Sequence, residues 1–265
     1  MRVEYRSLGG VRVRALLALP IRGGEPPSRL PAIVTIPGYG GAQQGVMLDE
    51  CQRGFAILQV YPRSQGPSAE LWKIDGADKL TWRLDRPEGA YYQSAYADVI
   101  RGVDYLMARP DIDNQRVAIA GTSQGGGIAL AVAALDPRLK AVVAHVPFLC
   151  DMRQAARTQG SLVKKLLDEA QMNDESHFRT LDYFDPLQLA SSIHSCARAR
   201  QFGRSRYHLP RRNHPRRVRP HPLGEVALPR SAIDPHDFGG VLFDELAVAR
   251  SILAPLTQQR IGRRV

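Results

Sequence analysis

Apolar residues fall along the first 190 or so positions of the chain in short continuous runs, with longer stretches of helical spacing between them. Ala32-Ile-Val-Thr-Ile36, Phe55-Ala-Ile-Leu-Gln-Val60, Val117-Ala-Ile-Ala120 and Ala141-Val-Val-Ala-His145 are the runs expected of strands buried on both faces. Val3 to Pro20 reads as two shorter strands turning at Gly9-Gly10, followed by a Pro- and Gly-rich loop from Gly23 to Pro31. From Ser94 to Ala108, the residues Ile100, Val103, Leu106 and Met107 recur at helical spacing and predict a helix packed on the sheet. Gly126 to Leu135 and Ser161 to Ala170 (Leu162, Val163, Leu166, Leu167) predict two more. Asp111 to Asn114 reads as a turn, and residues 67–90, with Trp72 and Trp82, as irregular. Strands alternating with helices predict an α/β fold built on a doubly wound, mostly parallel sheet with right-handed crossovers. No internal repeat interrupts this order.

A chain of 265 residues with 44% hydrophobic content is long enough for one substantial core. No stretch approaches 18 uninterrupted apolar residues, so no membrane span is expected. The first residues, Met1-Arg-Val-Glu-Tyr-Arg6, lack the apolar segment of a signal peptide. Cys51, Cys150 and Cys196 show neither paired nor metal-ligand spacing, and their odd number argues against a disulfide framework. A reduced, cytoplasmic setting is expected.

The formal charge of +10 would ordinarily point to nucleic acid or a membrane surface, but it is unevenly spread. Residues 1–196 carry 22 Lys and Arg against 21 Asp and Glu, whereas residues 197–265 carry 14 Arg, no Lys and 5 acids. The basic character belongs to the tail, which has many prolines and few aliphatic runs. Such a composition buries too little apolar surface to offset its ordering entropy, so 1–196 is expected to fold and 197–265 to remain disordered.

Gly121-Thr122-Ser123-Gln124-Gly125 fits the nucleophile elbow G-x-S-x-G, in which a sharp strand-to-helix turn lifts a serine hydroxyl above a sheet. Small residues two positions either side are required because the strand and helix backbones crowd that turn. The motif follows a strand and precedes a helix, whose N–H groups and dipole favour an oxyanion at the serine. Pro37-Gly-Tyr-Gly-Gly41 is a second loop at a strand end whose glycines let backbone amides approach a ligand. Cys150, expected to end a strand, and His145, inside an apolar one, read as core residues rather than as nucleophile and base.

Gly121 to Gly127, Val146-Pro-Phe-Leu-Cys-Asp151, Arg63-Ser-Gln-Gly66 and Tyr183-Phe-Asp-Pro186 together resemble the acetyl xylan esterase and cephalosporin C deacetylase family. The resemblance covers about residues 4–196. It implies an α/β-hydrolase fold and removal of acetyl groups from sugars and similar small esters. It implies Ser123 as nucleophile, the amides of Tyr39 and Gln124 as the oxyanion hole, and Arg63, Gln65 and Gly66 as a structural loop near the site. Pro37-Gly38-Tyr39 stands for the family's H-G-Y, and Ser64 replaces the first glycine of its R-G-Q-G. No metal or organic cofactor is implied.

A serine nucleophile needs a base and an acid, which follow it in chain order in this fold. The family carries them in a G-x-x-D-x-x-C-P segment and an H-E pair, and neither occurs here. Taking the last two bases of each codon with the first of the next, the codons from Ala197 permit P-V-L-V-S-S-V-G-R-D-T-T-C-P-A-A-T. Those from Val218 permit F-D-R-I-P-W-A-K-S-L-C-H-E, and those from Asp237 a closing amphipathic helix. Three family segments in one frame and in order point to a one-base frameshift near Cys196. The sequence therefore predicts a serine esterase for a small acetylated substrate, impaired by the missing acid and base. The alternatives are a non-catalytic hydrolase fold, or a binding protein whose basic tail contacts nucleic acid. The tail lacks the interleaved aromatics of a nucleic-acid-binding segment, so nucleic acid is not expected. Oligomeric state is not legible.

Overall fold

The structure, a computed structural model, describes residues 1–21, 29–40, 45–76 and 78–193 and the backbone of 197–201. Seven strands form one sheet: β1 (Arg2–Arg6), β2 (Arg12–Ala18), β3 (Leu30–Ile36), β4 (Ala56–Tyr61), β5 (Ile112–Thr122), β6 (Ala141–His145) and β7 (Ala197–Gln201). Their spatial order is β1-β2-β4-β3-β5-β6-β7. β3 to β7 run parallel, while β1 and β2 form an antiparallel hairpin hydrogen-bonded to β4. Among the described residues seven α-helices accompany them: α1 (Leu48–Gln52), α2 (Tyr91–Met107), α3 (Gln124–Leu135), α4 (Met152–Arg157), α5 (Leu162–Glu169), α6 (Glu175–Phe184) and α7 (Pro186–Leu189). Among the described residues no helix is long and apolar enough to cross a membrane.

The β-branched runs form the central strands because both faces of the sheet are covered. Val34, Leu58, Ile119, Val142 and Ala144 face one cluster with residues of α2 and α3. The alternate residues Ile33, Ile57, Ala118, Ala120, Ala141 and Val143 face a second cluster with Cys51 of α1 and Phe55. Thr35 and Gln59, at the upper end of this second face, satisfy each other: the Thr35 hydroxyl lies 2.7 Å from Gln59 Oε1, and Gln59 Nε2 donates to the Thr35 carbonyl.

Four expectations shift. The predicted turn at Asp111–Asn114 is the beginning of β5, which starts at Ile112 and pairs with Leu30 of β3. The first predicted helix begins three residues earlier, and its buried face is Tyr91, Tyr92, Ala95, Tyr96, Asp98, Val99, Gly102, Val103 and Leu106. Ile100 and Met107 are only half-buried. Cys150 does not end a strand; it lies in the loop after β6, half-buried against the core. The sheet also continues past Cys196, where no apolar run marks a strand, because β7 pairs with β6 in the register Ala141↔Ala197. The remainder of the basic tail lies outside the described residues.

The Tyr183-Phe-Asp-Pro186 segment joins α6 to α7 through one carboxylate. Asp185 is buried, accepts the N–H groups of Asp151 and Leu187 on Oδ1 and that of Met152 on Oδ2, and so caps α7 while fastening the loop after β6. Burial pushes its pKa above the ordinary aspartate value, with the three amides pulling the other way. Asp185→Ala is expected to cost about 1–3 kcal/mol, the penalty for stranding buried donors, read from urea unfolding. A raised carboxyl pKa means that folding takes up a proton as pH falls through it. Acidification from neutrality toward the ordinary aspartate value should therefore stabilise the parent relative to Asp185→Asn, which has no such proton.

Candidate active site

Ser123 is the single residue between β5 and α3, with φ 56° and ψ −120°. A serine held at positive φ stores roughly 1–3 kcal/mol of strain, which the surroundings must over-determine. They do so by hydrogen bonds: the Ser123 N–H donates to the His145 carbonyl at 3.0 Å, and the Ser123 carbonyl accepts from Gly127 at 3.1 Å and Phe148 at 2.9 Å. The glycines around it are required by space. A Cβ on Gly121 would lie 2.3 Å from Gly125, one on Gly125 2.3 Å from the Ile36 carbonyl, and one on Gly127 2.0 Å from the Phe148 carbonyl. His145 thus meets the elbow through its backbone, and its position at the end of β6 is buried.

The loop after β3 runs beside this turn. A Cβ added to Gly38 would lie 4.0 Å from Ser123 Cβ. Gln65, buried in the loop after β4, donates its Nε2 to the Gly38 carbonyl at 3.2 Å. That carbonyl and the Tyr39 N–H belong to one trans peptide and point in opposite directions, so Gln65 fixes the plane that presents the Tyr39 amide. Gln124 opens α3, and an N–H at that position has no acceptor inside its helix. Its side chain is fully buried and accepts from the Tyr92 hydroxyl at 3.4 Å. Burial pushes the Tyr92 pKa well above the usual phenol value, which keeps it a donor. Gln65 Oε1 and Gln124 Nε2 have no hydrogen-bond partner among the described residues.

Arg63 anchors the same loop from below. Its Nε and Nη2 form a two-pronged pair with the Asp98 carboxylate of α2 at 3.0 and 2.7 Å, and its own N–H donates to Asp98 at 2.8 Å. Both side chains are buried, and Arg63 Nη2 also reaches the Leu8 carbonyl. The following residues explain the motif's glycines: Ser64 takes φ 64°, a conformation glycine adopts freely, and a Cβ on Gly66 would lie 2.6 Å from the Tyr61 ring. Asp98 and Tyr92 were not legible as site residues; a carboxylate inside the apolar stripe of α2 was the available signal.

The structure therefore brings Ser123, Tyr39, Gln124 and Gln65 together at the carboxyl ends of β3, β4 and β5, with Arg63 and Gly66 supporting Gln65. Among the described residues none forms a hydrogen bond with the Ser123 hydroxyl, and no cluster of three His, Cys, Asp or Glu is placed to hold a metal ion.

Residues 1–199 match the acetyl xylan esterase family. The chain belongs to that family. The acetyl esterase Axe7A of Xylanibacter ruminicola is 33% identical over 120 residues, 43% of this chain and 26% of its own length. An acetyl xylan esterase structure from Paenibacillus sp. R4 superposes with a TM-score of 0.65 at 28% identity, over 74% of this chain and 66% of that one. The acetyl xylan esterase 1 structure from Thermoanaerobacterium sp. JW/SL YS485 gives the same TM-score and coverage at 24% identity. The fold of this family member is that of the α/β-hydrolases, and the chain spans only about a quarter of the curated relative and two thirds of the solved ones.

Asp98→Ala is expected to destabilise the chain by about 3–5 kcal/mol, because it leaves a buried guanidinium uncompensated. Replacing both partners by apolar residues (Arg63→Met with Asp98→Leu) should recover a large part of that loss. Urea unfolding of the two variants and the parent makes the comparison.

Proposed function

We propose that this chain is a serine esterase of the deacetylase kind, with Ser123 accepting the acetyl group of small acetylated substrates such as sugar acetates. One observation carries the reading: Ser123 is held at positive φ at the start of a helix, in a turn whose glycines lie against two other backbone segments. Strain of that kind belongs to a site that presents a hydroxyl, and an ordinary surface serine has no need of it.

In the proposed reaction Ser123 Oγ attacks the ester carbonyl as a base removes its proton. The carbonyl oxygen becomes an oxyanion facing the amides of Tyr39 and Gln124. Collapse releases the alcohol, which takes the proton, and leaves acetyl-Ser123. Water then attacks that ester and releases acetate. The base and its orienting acid are assigned to the region after the elbow, in the frame that restores the family's D-x-x-C-P and H-E segments. Without them the chain as written should turn over about 10⁴–10⁶ times more slowly than the restored protein.

The test compares four proteins: the chain as written, its frame-restored counterpart, and Ser123→Ala in each. The restored protein should hydrolyse 4-nitrophenyl acetate with a pH profile set by a histidine-like base, and a fluorophosphonate should label it at Ser123 alone. Unchanged hydrolysis in Ser123→Ala would sink the nucleophile assignment. Equal rates with and without the restored frame would refute the assignment of base and acid. A DNA read that confirms the present frame, with bases excluding those segments, would refute the frameshift and favour a non-catalytic member of the family.

A further inference from the structure

The Tyr39 side chain is the part of the site that nothing so far explains. Tyr39 lies outside the strands and helices, yet three groups from elsewhere in the chain hold its ring. Its hydroxyl accepts the Leu80 N–H at 3.2 Å, the Lys79 ammonium lies 4.4 Å from its ring centroid, and the Phe148 ring meets it edge-on at 5.4 Å. Phe148 is the residue whose N–H holds the Ser123 carbonyl.

Residues 78–82 are rigid enough to serve as an anchor. Asp78 accepts Leu80 N–H on its side chain at 2.9 Å and Thr81 and Trp82 N–H on its carbonyl at 3.1 and 2.9 Å, while the Leu80 and Thr81 side chains are buried. Lys79 lies half-buried over the ring. Burial lowers its pKa, which the Asp78 carboxylate partly offsets, and an ammonium desolvated in this way gains most from an aromatic face.

We propose that Lys79 and the Leu80 amide form a strap that positions Tyr39, and through it the peptide whose N–H serves the oxyanion. This rests on the function proposed above. Gln65 fixes that peptide at its carbonyl end and the strap fixes it at the side chain beyond its nitrogen, so the plane is held on both sides of the donor. Lys79 and Leu80 are positioning residues and touch no reacting atom.

The experiment uses the full chain, with Lys79→Met, Lys79→Arg and Tyr39→Phe beside the parent. Hydrogen exchange of the peptide spanning residues 37–40 should speed up about three- to tenfold in Lys79→Met and Tyr39→Phe. Lys79→Arg, which keeps a cation over the ring, should restore the parent rate. Exchange elsewhere in the sheet should not change. Parent-like exchange in both disrupting variants, or acceleration spread over the whole molecule, would overturn the strap. The second readout is acylation of Ser123 by 4-nitrophenyl acetate in the frame-restored protein carrying the same substitutions, followed by intact mass. Its limiting rate should fall about tenfold in Lys79→Met, with half-saturation unmoved; a shift in half-saturation alone would make Lys79 a substrate contact and refute positioning. If the frame-restored parent is never acylated, the proposed function fails, and hydrogen exchange of the chain as written still decides the strap.

Discussion

The crowding of backbone around Ser123 is the constraint on which the rest of the site depends. Strand β5 turns into α3 within one residue, and the space beside that turn is already taken by the end of β3 and by the loop after β6. A Cβ at Gly125 would meet the Ile36 carbonyl, and one at Gly127 the Phe148 carbonyl, so side chains are excluded where those segments cross. The same closeness lets three hydrogen bonds from His145, Gly127 and Phe148 hold Ser123 in a conformation it would not choose. Loosening the packing to relieve the serine would also remove the neighbours that surround it.

Topology then decides what those neighbours are. The chain leaving β3 runs through α1 to β4 on one side of it, and the chain leaving β5 runs through α3 to β6 on the other, so β3 and β5 are adjacent with loops that diverge. The crevice at such a switch point is where open α/β sheets bind ligands. Adjacent strands β4, β3 and β5 deliver Gln65, Tyr39 and Ser123 in that order, and β6 adds Phe148. The buried Arg63–Asp98 pair sets the height of the β4 loop against α2, which allows Gln65 to reach the Gly38 carbonyl. An ion pair in that position is better understood as fixing one geometry than as adding stability, since its Coulombic gain is offset by desolvation.

The features legible in the sequence were those carried by composition over a few adjacent residues. Central strands are runs of β-branched residues because both faces are buried, and the elbow is a spacing of glycines about a serine. Helices α1, α4 and α7 escaped because they span only 4 to 6 residues, too few to repeat a helical pattern. The N-terminal half of the buried face of α2 was missed for a different reason, while Val103 and Leu106 are buried and Ile100 and Met107 pack against the core. That half is built from Tyr91, Tyr92, Tyr96 and Asp98, polar by composition but satisfied in place: the Tyr91 hydroxyl donates to the Arg63 carbonyl, Tyr96 to Phe184, and Asp98 accepts Arg63. Partners so distant in sequence leave no local trace. Lys79 was hidden likewise, since a charged residue in an irregular stretch gives no sign of the ring it covers.

Strand β7 shows a sequence and a fold pulling apart. β6 presents a row of backbone donors and acceptors that needs a parallel partner whatever that partner's side chains are, and Ala197–Gln201 supplies it. In register, however, Arg198 stands opposite Val142 and Arg200 opposite Ala144, and Val142 and Ala144 are buried members of the main core. A parallel strand at this place in the sheet is expected to be apolar. The frame proposed for the tail puts P-V-L-V-S at the same five positions, which has the composition of β3 to β6. Pairing geometry thus marks the point where a buried strand belongs, and codon degeneracy independently offers one there. The charged text that stands in its place satisfies the backbone requirement of the fold without meeting its requirement for apolar side chains.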